Sequence, residues 1–293
     1  MRRAATIAAV ALAACDPALP QQVSTIDAPR VIAVVATPAE AAPGAAVAYA
    51  AVVASPDGTA AAPAIAWAYC TDPKPPTEDN AVAVGCVAEP AALVPLGVGA
   101  TAAATLPADA CRSFGPDTPA TGARPRDPDA SGGYYQPVRA ELAGAPLTFG
   151  LHRLACNLGD APPSVVREYR DRYRANQHPT LATVALADGA SAVAPGATVG
   201  LTATWPAATA EAYVVYDRVA VAIVARREAL RVGWFATAGA LAADATGVAA
   251  DDPATATTVA WTAPTTPGVV HLWAVLHDDR GGVATATLDV TVR

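Results

Sequence analysis

The chain has 293 residues, a net charge of −7 and five cysteines, and 53% of its residues are hydrophobic. This length predicts about two domains with sizeable cores, and the acidic balance argues against nucleic acid as a partner, because phosphate groups are bound by clusters of Lys and Arg. Alanine supplies much of the hydrophobic content, and no apolar run reaches the roughly 20 residues that a membrane-spanning helix needs.

The first fifteen residues combine a basic start with a short apolar segment. Arg2 and Arg3 precede an apolar run that ends in Leu-Ala-Ala-Cys at residues 12–15. This combination is typical of a secretory signal. The Leu-Ala-Ala-Cys motif resembles the lipobox of bacterial lipoproteins, in which the cysteine is lipidated and becomes the first residue of the mature protein. The resemblance implies a signal peptide over residues 1–14 and a lipid anchor at Cys15.

Such an anchor places the protein in the cell envelope of a Gram-negative bacterium. It would be held at the outer or inner membrane and face the periplasm or the cell surface. Asp16 follows the cysteine, and in enteric members of the lipoprotein family this residue type favours the inner membrane, but the choice of membrane stays open. Residues 15–29 are polar and contain proline, so they are predicted to form a tether.

The segment 30–160 is predicted to be a first strand-rich domain. Its short runs alternate bulky and small residues between Pro, Gly and Asp turns, which is typical of β-strands. Residues 107–133 depart from this pattern, because they are dense in Pro, Gly and Asp and predict a long inserted loop. The predicted strands of this domain are residues 30–37, 47–54, 65–70, 82–87, 99–106, 134–142 and 147–156.

The segment 161–179 is predicted to be a linker with a helix over residues 162–176. Glu168 and Arg172 have the i,i+4 spacing of a favourable ion pair. The proline after His178 ends the helix, because a residue before proline avoids the helical conformation. The arginines of the helix are expected to be solvated, with anionic lipid or an acidic partner as the alternative. The apolar face consists of Val165, Val166, Tyr169 and Tyr173.

The segment 180–293 is predicted to be a second strand-rich domain that repeats landmarks of the first. An Ala-Pro-Gly-Ala turn occurs at residues 42–45 and again at 194–197. After this turn, each segment has a predicted strand with a tryptophan at its centre, residues 65–69 in the first and 232–236 in the second. The same landmarks in the same order predict two copies of one module. The strands predicted after the turn of this second copy are residues 213–224, 230–238, 257–261, 271–277 and 283–292.

Several short strands with regular turns, and a Trp on the third or fourth strand, fit an antiparallel sandwich. Residues 268–292 alternate Val, Leu and Thr around Asp-Asp-Arg-Gly-Gly, which resembles the last hairpin of polycystic-kidney-type and other bacterial Ig-like domains. The resemblance covers residues 180–293 well and residues 30–160 loosely. It implies an all-β fold of two Ig-like antiparallel β-sandwich domains joined by a short helix.

Four cysteines remain after Cys15, and an even number in an exported chain predicts two disulfides. Three connectivities are open. If the strands that end at Cys70 and Cys156 are antiparallel neighbours, these residues lie at opposite edges of the sheet, whereas a disulfide needs Cα atoms within about 7 Å. The pairing Cys70–Cys86 with Cys111–Cys156 is therefore favoured.

No arrangement of a nucleophile and a base points to catalysis, and the sequence predicts neither catalytic residues nor a cofactor. His271 and His277 share one face of a strand, so a two-histidine metal site is an alternative to ordinary structural roles. Asp278 and Asp279 form a paired carboxylate at a turn, as does the pair at residues 251–252. Solvated loop charge is expected there, with calcium as the alternative.

Tyr134 and Tyr135 follow the long loop. Adjacent strand residues point to opposite faces, so one tyrosine is expected in the core and the other is a possible contact for carbohydrate or protein. We therefore expect a lipid-anchored structural or protein-interaction module without catalysis, whose partners are the membrane, through Cys15, and an envelope protein or glycan. The alternative is a carbohydrate-binding or adhesin-type module that uses residues 107–135.

Overall fold

The computed structural model describes residues 23–58, 63–73, 82–116 and 131–293. The predicted signal peptide and Cys15 lie outside the described residues, as does the central part of the predicted 107–133 loop. Within them the chain is all-β and forms two Ig-like antiparallel sandwiches, as the sequence predicts.

The first sandwich packs a three-stranded sheet, in the order β1-β3-β6, on a five-stranded sheet, in the order β2-β8-β7-β4-β5. Tyr49 and Trp67 fill the core between the two sheets. The strands are β1 (Arg30–Thr37), β2 (Glu40–Ala41), β3 (Ala46–Ala54), β4 (Ile65–Cys70), β5 (Leu93–Gly99), β6 (Thr101–Thr105), β7 (Gly133–Leu142) and β8 (Thr148–Ala155), with the short helices α1 (Gly85–Ala88) and α2 (Ala110–Phe114) in its loops.

The second sandwich follows the helix α3 (Pro163–Arg172). It packs a sheet in the order β15-β17-β11-β9 on a sheet in the order β10-β19-β18-β14-β16, and the hairpin β12-β13 forms a separate pair. Its strands are β9 (Thr183–Leu186), β10 (Ala192–Val193), β11 (Thr198–Thr204), β12 (Ala212–Asp217), β13 (Ala222–Arg227), β14 (Leu230–Ala236), β15 (Ala240–Leu241), β16 (Ala245–Val248), β17 (Ala256–Thr262), β18 (Gly268–Asp278) and β19 (Val283–Val292).

The two sandwiches share one topology. In each, a two-residue strand before the Pro-Gly turn pairs in parallel with the last strand, β2 with β8 and β10 with β19. Trp67 lies opposite Ala140, and Trp234 lies opposite Ala274, so each buried indole faces an alanine on the neighbouring strand. This equivalence supports the prediction that one module is repeated.

Three local predictions were wrong. The strand expected at residues 82–87 contains the helix α1 instead. The strand expected at residues 213–224 is the hairpin β12-β13, because the Asp217 carboxylate accepts hydrogen bonds from the N–H groups of Val219 and Ala220 and closes a turn there. Several strands were not predicted, among them β5 beside β4 and, in the second sandwich, β9, β11 and β16.

The predicted tether is attached to the second sandwich over its described part. Ile26 donates its N–H to the carbonyl of Ala236 at 2.9 Å, and Ala236 donates to the carbonyl of Ser24 at 2.9 Å. The Ile26 side chain is fully buried against Ala54 and Trp273, one from each sandwich. Apolar burial of this kind favours a fixed path over a free tether.

Candidate functional site: the interdomain junction

A buried polar cluster lies where the two sandwiches meet the linker. Its two central residues are Arg153, on β8 of the first sandwich, and Arg280, in the turn between β18 and β19 of the second. Both are buried, with 0% and 1% of their surface exposed. Leu154 faces the sandwich core, so the alternation of a strand points its neighbour Arg153 to the outer face of the sheet, where the linker covers it.

Arg153 is held by residues of the first sandwich. Its Nε lies 3.2 Å from Oε2 of Glu40, its Nη1 donates to the hydroxyl of Tyr135 at 3.1 Å, and its Nη2 donates to the Ser131 carbonyl at 3.1 Å. Burial alone would lower the pKa of the Arg153 guanidinium. The neighbouring Tyr135, Tyr173 and Glu40 raise it by more than burial lowers it, so the pKa lies above its ordinary value. Arg153 therefore remains charged.

Two residues of the linker donate hydrogen bonds to the Glu40 carboxylate. Tyr173 donates its hydroxyl to Oε1 of Glu40, and the backbone N–H of Asn176 donates to Oε2 at 2.8 Å. Burial raises the pKa of Tyr173 to about 12, although Arg153 opposes the rise. Because Glu40 accepts from both the arginine and the linker, the path of residues 173–176 is fixed against the first sandwich.

Arg280 forms the matching group in the second sandwich. Its Nε lies 2.6 Å from Oε1 of Glu228, and its Nη2 lies 2.8 Å from Oε2 of Glu211. Its Nη1 donates to the carbonyl of Arg174 in the linker at 2.9 Å, and its guanidinium lies over the Tyr213 ring at 4.9 Å. Burial raises the pKa of Glu228 to about 7 and outweighs the opposing effect of Arg280.

Two linker residues bridge the sandwiches directly. The amide of Asn176 donates to Asp278 at 3.3 Å, while its backbone contacts Glu40. His178 donates Nε2–H to the carbonyl of Ala36 at 2.6 Å and accepts the N–H of Val283 on Nδ1 at 3.0 Å. A backbone N–H can only donate, so this geometry requires the neutral imidazole with its proton on Nε2.

The paired carboxylate Asp278-Asp279 is not simply solvated loop charge. Asp278 is buried and accepts the N–H groups of Arg280 at 2.9 Å and Gly282 at 2.7 Å, which closes the hairpin turn. Burial raises its pKa. Asp279 accepts a hydrogen bond from the Tyr213 hydroxyl at 3.2 Å. The expectation of solvated charge was wrong for Asp278, because the linker covers this turn.

Tyr134 and Tyr135 have different surroundings in the structure. Tyr134 is 1% exposed and lies in the core of the first sandwich, which is the division of faces that the sequence predicts. Tyr135 points to the opposite face and meets Arg153 through its hydroxyl and its ring. Tyr134 is therefore a core residue, Tyr135 is a half-buried residue of the junction, and a ligand contact at Tyr135 stays a prediction.

His271 and His277 have separate surroundings. His271 Nδ1 lies 2.7 Å from Oδ1 of Asp289. Burial and the nearby Arg231 lower the pKa of His277. Among the described residues, no group of three or more His, Cys, Asp or Glu is arranged to hold a metal ion.

The structure pairs Cys70 with Cys86 and Cys111 with Cys156, which confirms the favoured connectivity. The reason given for it was wrong. The strand β7 lies between β4 and β8, so the strands that end near Cys70 and Cys156 are parallel and not antiparallel neighbours. Instead, helices in the two loops carry the partners, Cys86 on α1 and Cys111 on α2.

The junction was not found from the sequence. Arg153 is a lone arginine in an apolar strand, and Arg280 lies within a turn motif that is ordinarily solvated. A charged residue on the outer face of a strand is usually solvated, and no local pattern shows that another part of the chain covers it. The one available signal was the polar pair His152-Arg153 between two leucines in an otherwise apolar strand.

Comparisons with known proteins give weak structural likenesses. No protein-family model matches the chain, and no curated protein matches it. The Reelin-N domain of F-spondin aligns at 14% identity and a TM-score of 0.26, over 43% of this chain and 96% of that one. The D00-D0 domain of Intimin aligns at 12% identity and a TM-score of 0.27, over 91% of this chain and 98% of that one. The adhesin InvE of Yersinia pseudotuberculosis aligns at 12% identity and a TM-score of 0.23, over 89% of this chain and 58% of that one. Such low TM-scores carry no argument about activity.

No helix within the described ranges is both long enough and apolar enough to cross a membrane.

Proposed function

We propose that the chain is a lipid-anchored cell-envelope protein of a Gram-negative bacterium that acts as a structural or protein-interaction module, without catalysis of its own. The observation that carries the role is the junction, in which Arg153, Arg280 and the linker hold two sandwiches together as one body. Such a body is suited to presenting a protein surface at a fixed place and angle.

The buried charges of the junction favour a unique arrangement more than they add stability. Desolvation offsets much of the attraction within a buried ion pair, whereas loss of one partner costs about 3–5 kcal/mol. An altered packing of the sandwiches would leave Glu40 or Glu228 buried without its arginine. Rotated arrangements are therefore disfavoured, which fits a module whose geometry matters to a partner.

The proposed location rests on the sequence and the disulfides. The lipobox-like Leu-Ala-Ala-Cys at residues 12–15 follows a basic start, and two disulfides fit an oxidising compartment outside the cytoplasm. Residues 16–22 separate Cys15 from the described chain and can span at most about 25 Å when extended. An anchor at Cys15 would therefore keep the second sandwich, to which residues 24–26 are attached, near the membrane.

Substitution Cys15→Ser tests the anchor. We expect the variant to move from the membrane fraction to the soluble fraction while its two disulfides and its circular dichroism remain unchanged, since the other four cysteines form both disulfides. A variant that stays in the membrane fraction without detergent would contradict lipid anchoring.

Crosslinking in the native cell, followed by mass spectrometry, tests the interaction role. We expect one envelope protein to be recovered at near-equal amount with the wild type. The matched comparison is Arg280→Met, which alters the junction and not the exposed surface, and it should reduce that crosslink. Recovery of no envelope protein in repeated experiments would contradict the interaction role.

The glycan-binding alternative is not favoured by any described contact. It uses residues 107–135, of which 117–130 lie outside the described residues, and the Tyr135 hydroxyl accepts a hydrogen bond from Arg153.

A further inference from the structure

The tip of the hairpin β12-β13 exposes three apolar residues in succession. The turn between the two strands contains Val219, Ala220 and Val221, and all three are exposed. Val219 is 95% exposed, the largest fraction among the large hydrophobic residues that the structure describes, and Val221 is 49% exposed. Consecutive exposed apolar residues are unfavourable in water, and such a run is retained on a protein surface where it has a function.

The backbone of this turn does not explain why valine occurs there. Exposed turns favour Gly, Asn and Asp, and Asp217 fits this rule because its carboxylate accepts the N–H groups of Val219 and Ala220. Val221, however, has a φ of 53°, in the left-handed region that a β-branched residue rarely adopts. A contact made by the valine side chains therefore explains this turn better than the needs of turn formation do.

Arginines lie beside the apolar tip. Arg218 precedes Val219 in the turn and is exposed. Arg172, at the end of α3, donates a hydrogen bond from Nη1 to the carbonyl of Ile223 at 3.3 Å, and Ile223 is only two residues beyond Val221. The helix and the tip of the hairpin thus present positive charge and apolar side chains at the same place on the surface.

The helix and the hairpin together are basic, although the chain has a net charge of −7. Their three carboxylates are Asp171, which is exposed, Glu168, which is bound to Arg172 at 2.7 Å, and Asp217, which is engaged in the turn. Against these three stand six arginines, at positions 167, 170, 172, 218, 226 and 227. An excess of positive charge in an acidic chain favours a partner with negative charge.

An anionic lipid bilayer matches both properties of this surface. Its headgroups attract arginines, and its interfacial region accepts apolar side chains that would otherwise face water. An acidic protein surface would match the arginines and leave the valines in water. We propose that residues 218–221 insert into the surface of an anionic membrane, while the arginines of the hairpin and of α3 contact its phosphate groups.

This contact goes beyond the proposed lipid anchor and does not involve Cys15. Where the anchor is present, it raises the effective concentration of the membrane surface, so even a weak contact at the hairpin is enough to orient the two sandwiches. Salt releases a contact between exposed charges, whereas it does not release an acyl chain. Cell fractionation at high salt therefore reports on the anchor alone.

Sedimentation with lipid vesicles tests the contact. The protein is the chain from residue 16 onward, which keeps every described residue and omits both Cys15 and the apolar run before it. We expect it to sediment with vesicles of phosphatidylglycerol and phosphatidylcholine at low salt and millimolar lipid. It should stay in the supernatant with vesicles of phosphatidylcholine alone, and added salt should release it from the anionic vesicles.

A pair of valine variants tests the insertion of the tip. Val219→Asp places a charge in the apolar run and should weaken binding to the anionic vesicles about tenfold. Val98→Asp is the matched control, because it makes the same change at another valine, which is 72% exposed on β5 of the first sandwich. It should leave binding unchanged. Both positions are exposed, so both variants should keep the circular dichroism of the wild type.

A pair of arginine variants tests the contact with phosphate. Arg218→Gln should weaken binding about fivefold, the effect of one basic residue near an anionic surface. Arg293→Gln, its matched control, should not. The hydrogen bond from Tyr213 to Asp279 ties the hairpin to the β18-β19 turn, and Arg293 lies beyond the opposite end of β19.

Three results would overturn the proposal. The first is no sedimentation with anionic vesicles, and the second is equal sedimentation with both kinds of vesicle. The third is unchanged binding of a folded Val219→Asp variant. If Arg218→Gln alone weakens binding, the surface recognises negative charge without inserting, which is the behaviour expected toward an acidic protein.

Discussion

At the scale of single residues, each buried arginine is matched with a fully buried carboxylate. The side chains of Arg153 and Glu40 are both 0% exposed, and those of Arg280 and Glu228 are each 1% exposed. The backbone and tyrosine hydrogen bonds around them satisfy further donors and acceptors. A buried charge is tolerated only when its counter-charge and its hydrogen-bond partners are both present.

Glu40→Gln should therefore lower the free energy of unfolding by about 3–5 kcal/mol, because Arg153 is left buried without a counter-charge. Urea unfolding measures this loss. The double variant Glu40→Gln with Arg153→Met should recover part of it. Glu168→Gln is the matched control, since it breaks the half-exposed pair with Arg172 at 2.7 Å and should cost less than about 1 kcal/mol. Equal losses at the two sites would contradict the assigned role of burial.

His152 predicts a pH dependence of stability. Its pKa is lowered to about 4 from an ordinary value of 6.5, first of all by burial. Below about pH 6.5 the unfolded chain binds a proton that the folded chain does not, so stability is full above this pH and is lost progressively as the pH falls toward 4.

The measurement compares wild type with His152→Gln by urea unfolding at pH 7.5, 6, 5 and 4. The difference between a pKa of 6.5 and one of about 4 corresponds to at most about 3.5 kcal/mol. Glu228 acts in the opposite direction, because its pKa is raised to about 7, so the difference between the two proteins isolates the histidine. A difference that does not change with pH would show that His152 is not buried in its neutral form.

At the scale of elements, α3 packs on the hairpin β12-β13 that the first sandwich lacks. Val165 and Tyr169 of the helix contact Val214 and Ile223 of the hairpin, and Tyr169 donates its hydroxyl to the Ser131 carbonyl at 3.0 Å. The helix ends at Arg172, before the predicted residue 176. The next residue is extended, with φ −61° and ψ 141°, and this turn brings its side chain to Glu40.

Tyr169→Ala should lower the free energy of unfolding by about 3–5 kcal/mol, the range for truncation of a buried aromatic residue. The side chain joins the helix, the hairpin and the first sandwich, so the loss should be measurable by thermal or urea unfolding. Arg167→Ala, at an exposed position of the same helix, should change stability by less than about 0.5 kcal/mol. A small loss for the tyrosine variant would mean that the helix is only loosely packed.

At the scale of the whole molecule, contacts in several places along the described chain join the sandwiches. The linker bridges them through Asn176 and His178, Ala33 of β1 packs on Val275 and Val283, and the segment that precedes β1 pairs with Ala236 on β14. Because these contacts are distributed along the boundary, opening any one of them leaves the others to hold the arrangement.

The two sandwiches should therefore unfold together. Calorimetry of the wild type should give one transition whose van't Hoff and calorimetric enthalpies agree. Ile26→Asp places a charge in the apolar cluster at the boundary and should separate the transitions or lower the midpoint. Val98→Asp, at an exposed position of β5, is the control and should do neither. Two well-separated transitions in the wild type would contradict a single rigid body.

The sequence alone determined the class of fold, because alternation along strands is a local property. The repeated Ala-Pro-Gly turns and the central Trp67 and Trp234 predicted one module used twice, and the four cysteines that follow Cys15 predicted two disulfides. The division of Tyr134 and Tyr135 between two faces also follows from the period of a strand.

Only the tertiary structure decided what covers the outer faces. The period of β8 shows that Arg153 and Leu154 point in opposite directions, but not that the linker lies over Arg153. The same is true of Tyr135, one of two adjacent tyrosines considered as a possible ligand contact, and of Asp278, which was expected in solvent. Arg153 depends on Glu40 and Asp278 on Asn176, which are 113 and 102 positions away, and Tyr135 depends in turn on Arg153. Local sequence patterns specify the faces of a strand, while burial of a charge depends on which distant segment packs against that face.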